Sequence, residues 1–289
     1  MKYRFLIAGL SATLMFAWLP MLARADALPG KSSAIGTVPH AALKTRTVEY
    51  RDGEQVLEGY LAYDESKPGK RPPVLIVHDW KGVGPYVKRR ADQLAKLGYL
   101  AFAVDIYGKG VRPQTAEAAG AQAGTYKQDR ALFRSRLLAG YRAMLASPQA
   151  DATRTAAIGY CFGGTGVLEL ARSGADVQGV VSFHGGLDSP APADGKNIKA
   201  KVLILHGAED PFVPAKDIDA FLAEMRAANV DWQMISYSGA VHSFTNPEAG
   251  NDASTGAAYH ASADRRSWGA MRQFLDELFD ASGGKSADE

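Results

Sequence analysis

The chain holds one cysteine, Cys161, in the stretch IGYCFGGTGV. Gly159-Tyr160-Cys161-Phe162-Gly163 matches the pattern G-x-S-x-G with cysteine in the serine position. That pattern sets a nucleophile on a sharp strand-to-helix turn, and its glycines allow a bend that side chains would obstruct. The surroundings fit: apolar TAAIGY precedes the turn and the helical pattern GGTGVLELAR follows it. A helix starting near Gly163 aims its N-terminal dipole at the sulfur, which favours a thiolate and any anion formed there. The competing reading is a packed thiol, since free cysteine is among the most buried residue types.

An activated thiol needs a base, and the base needs an orienting acid. On an elbow of this kind the chain order is nucleophile, acid, histidine. Asp210 in LHGAEDPFVP and His242 in SGAVHSF follow Cys161 in that order, each just past a strand-like run. Glu209 is the neighbouring competitor for the acid. His206 reads as structural, and His184 in SFHGG as a neighbouring pocket or packing residue; His40 and His260 have no partner pattern. An oxyanion needs two backbone N–H donors. Phe162, directly after the nucleophile, supplies one, and Trp80 in HDWKGVG the other. No HxxxH, CxxC or aspartate cluster points to a metal, and thiol-based acyl transfer calls for no cofactor.

These residues need elements to carry them. TVEY and VLEGYLAY flank the Asp-Gly turn RDGEQ and read as a β-hairpin. PPVLIVHD, YLAFAVDIYG, TAAIGY, VQGVVSFHG, KVLILHGAED and VDWQMISYSG read as strands, most as the continuous apolar runs of a buried parallel sheet. Between them lie helical patterns: YVKRRADQLAKLG closed by Gly98, one long helix over 126–146, and one marked by Ile218, Phe221, Leu222 and Met225. Trp268, Met271, Phe274, Leu275, Leu278 and Phe279 line one face of a final helix. A hairpin followed by strand–helix units defines an α/β protein. Its mostly parallel central sheet starts with an antiparallel hairpin and has helices on both faces. Asp79, Cys161, His184, Asp210 and His242 fall at or past strand ends, where such sheets hold their ligands. Whether residues 110–125 cap the pocket is not fixed by this pattern.

The 289 residues are 46% hydrophobic and 22% charged, enough for one core in a single domain over 45–281. Residues 1–25 carry Lys2 and Arg4, then an apolar stretch and small residues, the form of a cleaved signal peptide. Export to the periplasm or medium is the expectation. Residues 26–44 read as a flexible arm and 282–289 as a disordered tail. Without 1–25 the chain has 30 basic against 31 acidic residues and no basic run, which argues against nucleic acid. No membrane attachment is expected after cleavage, and a monomer is.

HDWKGV, DIYGKG, GYCFGG, LHGAEDPFVP and AVHSF resemble, in order and spacing, the dienelactone hydrolase family over about residues 45–280. AYHASADRRSWGAMRQFLDELF is similar to its C-terminal helix. The resemblance implies an α/β-hydrolase fold and hydrolysis of a small ester or lactone by a cysteine nucleophile. It puts Asp79 at the position of an acidic residue near the thiol, where a carboxylate would disfavour the thiolate until substrate arrives; the alternative is a loop-anchoring aspartate. Two arginines that hold the substrate carboxylate in dienelactone-active members correspond to Lys109 in IYGKG and Asn246 in HSFTN. Lysine keeps the charge without the fork and asparagine loses the charge. These departures argue against dienelactone itself. A thioesterase, another carboxylic-ester hydrolase of this fold, or a non-catalytic binding protein are the other readings.

Overall fold

A computed structural model describes residues 42–280. The segments expected to be a signal peptide (1–25) and a tail (282–289), with the arm as far as residue 41, lie outside the described residues. The hairpin comprises β1 (Leu43–Asp52) and β2 (Gln55–Asp64), so the first strand starts two residues before the boundary expected at 45. Six strands follow: β3 (Pro73–Val77), β4 (Leu100–Val104), β5 (Ala156–Tyr160), β6 (Gly179–Phe183), β7 (Lys201–Gly207) and β8 (Trp232–Tyr237). They form one sheet in the order β1-β2-β4-β3-β5-β6-β7-β8. β1–β2 and β2–β4 are antiparallel; every pair from β4 to β8 is parallel.

Every residue of β3, β4, β5 and β6 is buried, which explains their unbroken apolar runs: both faces are covered. One face packs Phe102, Phe133, Phe162 and Phe221. The other packs Ile76, Leu94, Tyr160, Phe183 and Leu275. The covering helices are α1 (Pro85–Leu97), α2 (Ala116–Gln128), α3 (Arg130–Leu145), α4 (Phe162–Arg172), α5 (Ala215–Ala227) and α6 (Ala261–Asp280). None of these is long and apolar enough to cross a membrane.

The single helix expected over 126–146 is two helices. Asp129 is non-helical at φ −108°, ψ 86°, and its side chain accepts a hydrogen bond from the Leu132 N–H at 2.9 Å. This N-cap ends α2 and starts α3. α4, which begins at the elbow, is buried along its whole length. Its fully buried Glu169 pairs with Arg130, Arg134 and Arg172, and Arg172 with Glu224 of α5. A buried charge is tolerable only when paired in this way. The network ties α3, α4 and α5 together behind the turn at Cys161.

Candidate active site

The chain leaves β5 and enters α4 through Cys161, whose backbone sits at φ 56°, ψ −115°. A non-glycine residue there is strained, and the surroundings must hold it. Glycines make the close approach feasible: a Cβ on Gly163 would lie 2.1 Å from the Val77 carbonyl oxygen. The Cys161 N–H is held twice, by the Phe183 carbonyl at 3.0 Å and by Nδ1 of His184 at 3.2 Å.

Three side chains from separate strand ends meet at the sulfur. His242 Nε2 lies 3.0 Å from Cys161 Sγ, and its Nδ1 lies 2.8 Å from Asp210 Oδ2. The Asp210 side chain is wholly buried, and its other oxygen accepts from the Phe212 N–H at 2.9 Å. Burial alone would lower the pKa of His242; the Cys161 sulfur and the Asp210 carboxylate outweigh it and raise it to about 10. The surroundings therefore favour an imidazolium beside the sulfur, the state in which a cysteine–histidine pair is poised for attack.

A cavity of about 260 Å³ opens over Cys161 and His242. Trp80, Ala123, Phe162, Phe212 and Val213 give it apolar walls, and Lys127 and Thr165 add polar groups. Gly120, Gly124 and Lys127 place α2 in the lining, so the C-terminal part of the 110–125 segment is wall material. A larger cleft, about 410 Å³, lies elsewhere among Lys81, Lys88 and Arg112 and contains none of the three meeting side chains. The chemistry, not the volume, marks the site. Among the described residues no group of His, Cys, Asp and Glu could hold a metal ion.

The amides proposed for the oxyanion differ in origin. Phe162 is the first residue of α4, so its N–H has no partner within the helix. Trp80 lies in the loop after β3, and both residues line the cavity. Among the described residues neither N–H has a hydrogen-bond partner.

Other expected residues fall elsewhere. Lys109 does not line the cavity: its ammonium is paired with Glu49 of β1 at 2.5 Å, and both side chains are about half exposed. Asn246 does not line it either; its Oδ1 accepts from the Glu248 N–H at 3.0 Å and caps the short turn Pro247–Ala249. Neither side chain lines this cavity. Asp79 Oδ1 accepts from the Lys81 N–H at 2.8 Å, the loop-anchoring arrangement, and burial pushes its carboxyl pKa up. His184 sits behind the elbow and not in the cavity. Its Nδ1 accepts from an N–H, so Nε2 carries the proton and donates to Thr245 Oγ1 at 2.7 Å. His206 is buried on β7 as a structural residue.

Sequence reasoning missed Lys127 and Phe212. Gly120, Gly124 and Lys127 share one helical face, a signal hidden because the helix was expected to start at 126. Phe212 stands 58% exposed with its ring edge-on to His242 at 5.4 Å, a feature that only the folded loop reveals.

An elbow on a mostly parallel sheet, with an acid and a histidine past later strands, is the α/β-hydrolase fold. The chain is similar to the solved structure named m3DLH, at 42% identity and a TM-score of 0.80 over 82% of this chain and 99% of that one. The crystal structure of P91, a dienelactone hydrolase-like promiscuous phosphotriesterase from metagenomic libraries, is 40% identical with a TM-score of 0.78 over the same shares. The model of the dienelactone hydrolase family matches residues 57–279, and the chain belongs to that family. It is also 38% identical over 152 residues to the uncharacterized protein K02A2.1 of Caenorhabditis elegans, covering 51% of this chain and 94% of that one.

Proposed function

We propose that this protein hydrolyses a small ester or lactone through Cys161 as a covalent nucleophile. The observation that carries this reading is the line Sγ, Nε2, Nδ1, Oδ2 with contacts of 3.0 and 2.8 Å, opening into a cavity of about 260 Å³. The thiolate attacks the carbonyl carbon, and the oxyanion is met by the N–H groups of Trp80 and Phe162. The intermediate expels the alkoxide, which takes the His242 proton, and leaves a thioester on Sγ. Water, losing its proton to His242, attacks the thioester; the acid departs and the thiolate and imidazolium are restored. The thiolate leaves readily from a tetrahedral intermediate, which favours activated esters and lactones over amides.

The apolar walls, Trp80 and Phe212 among them, suit an apolar or aromatic group, and Lys127 in the lining suits an anionic substituent. The experiment is mass spectrometry of enzyme quenched during turnover of an aryl ester. A mass gain equal to the acyl group on wild type, absent from Cys161→Ala, supports the reading; full turnover by Cys161→Ala defeats it. A thioester and a phosphotriester belong in the same substrate panel, the latter because P91 resembles this chain. Export through residues 1–25 is part of the proposal. A mature N-terminus near residue 26 in the exported fraction would support it, and Met1 retained on cytoplasmic protein would not.

A further inference from the structure

His78 takes no part in the steps above, yet it is fully buried and stands at the head of the loop that carries Trp80. Both ring nitrogens are engaged. The Ile106 N–H points to Nε2 at 3.3 Å. Because an N–H only donates, Nε2 presents its lone pair, and the proton of the neutral ring is on Nδ1. Nδ1–H then donates to the carbonyl oxygen of Asp79 at 2.5 Å. Burial keeps the ring neutral, with its pKa pushed down to about 4. The ring is packed edge-on to Tyr107 at 4.7 Å and stacked on Phe162 at 5.8 Å.

The Asp79 carbonyl and the Trp80 N–H belong to one peptide unit. A trans peptide is planar, with C=O and N–H pointing in opposite directions, and no cis bond occurs among the described residues. Holding the carbonyl on the His78 side turns the Trp80 N–H to the other side. The next peptide is held as well, because Tyr107 Oη donates to the Trp80 carbonyl at 3.0 Å.

We propose that His78 is a positioning residue that orients the Trp80 N–H toward the oxyanion formed when Cys161 attacks a carbonyl. This rests on the nucleophile reading of Cys161. A donor fixed before the reaction stabilises developing charge without reorganising. If the peptide turned over, the Asp79 carbonyl oxygen would face that charge instead and repel it.

The test compares two reactions of the same sulfur. Ester hydrolysis passes through an oxyanion. Alkylation by iodoacetamide displaces iodide from a saturated carbon and forms none. His78→Leu removes both ring contacts, whereas His78→Asn offers an amide N–H near the Nδ1 position. For His78→Leu the kcat on an aryl ester should fall about a hundredfold, while the alkylation rate stays within about twofold. His78→Asn should recover most of the kcat. An unchanged kcat in His78→Leu overturns the proposal. So does an equal loss of both rates with no recovery in His78→Asn, which would mean a disrupted elbow. If His78→Leu does not fold, His78→Phe, closer in shape to the packed ring, takes its place with the same expectation. Ester turnover retained by Cys161→Ala would defeat the nucleophile reading itself, whatever the His78 variants do.

Discussion

A Cβ on Gly159 would lie 1.9 Å from the carbonyl oxygen of Gly163. The contact is backbone on backbone, because β5 turns into α4 within four residues, and no flexible side chain is present to yield. Gly159→Ala should therefore cost about 3 kcal/mol or more of stability, the upper range for overpacking. Gly269 in α6 is the counterexample: nothing lies within 4 Å of its Cβ position. Gly269→Ala should stabilise the protein by about 1 kcal/mol through helix propensity. Urea unfolding of the two variants reads both signs, and similar effects would contradict the steric account.

The elbow and the order Cys161, Asp210, His242 were legible because each follows a strand-like run, and such runs mark strand ends in local sequence. The fold followed from the same runs. What local sequence did not show were partners distant along the chain. Lys109 carries a charge beside DIYG, but it is spent on Glu49 in the antiparallel hairpin, a contact that only the β1–β2–β4 order creates. Asp129 interrupts an apolar pattern that continues on both sides, so its capping role was hidden until its side chain met the Leu132 N–H. His78 depends on Ile106, which follows a neighbouring strand.

Asp210→Asn keeps the shape beside His242 but presents an amide that can donate to Nδ1 and so reverse the tautomer. The kcat on an aryl ester should fall about a hundredfold or more. The titration of His242 should move as well. Against the lowering by burial, Asp210 and the Cys161 sulfur together raise its pKa to about 10, so removing the carboxylate should lower it. Imidazole proton shifts followed against pH in Asp210→Asn would show this. An unmoved titration would rule out the ion-pair account of the site.

Lys127 and Lys109 should behave differently. Lys127 lines the cavity, and Lys109 is paired with Glu49 outside it. Lys127→Met should raise KM for an ester bearing a carboxylate by about tenfold, the scale of one charge-assisted hydrogen bond. KM for a neutral ester of the same size should hold. Lys109→Met should leave both values within about twofold, as expected for loss of an exposed pair. The reverse pattern would return the substrate-binding role to Lys109.

His78, His184 and His206 are buried, and burial lowers the pKa of each, that of His78 to about 4. In the unfolded chain each takes up a proton near pH 6.5. Between that pH and the folded values the unfolded state binds more protons, so acid favours unfolding. The contribution is whole above about pH 6.5 and is lost as pH falls, at up to about 1.4 kcal/mol per pH unit for each histidine. Asp79, pushed up by burial, and His242, raised to about 10 by the Cys161 sulfur and Asp210, act in the opposite direction, two groups against three. Most paired carboxylates act only below about pH 5, and the unfolded-state protonation that His242 opposes is nearly complete by then, so the three neutral imidazoles set the trend from pH 6.5 to 5. The urea midpoint should fall steadily across it. A flat midpoint there would mean that these histidines are not held neutral in the fold, and would remove the tautomers on which the anchoring of the Cys161 and Trp80 backbones depends.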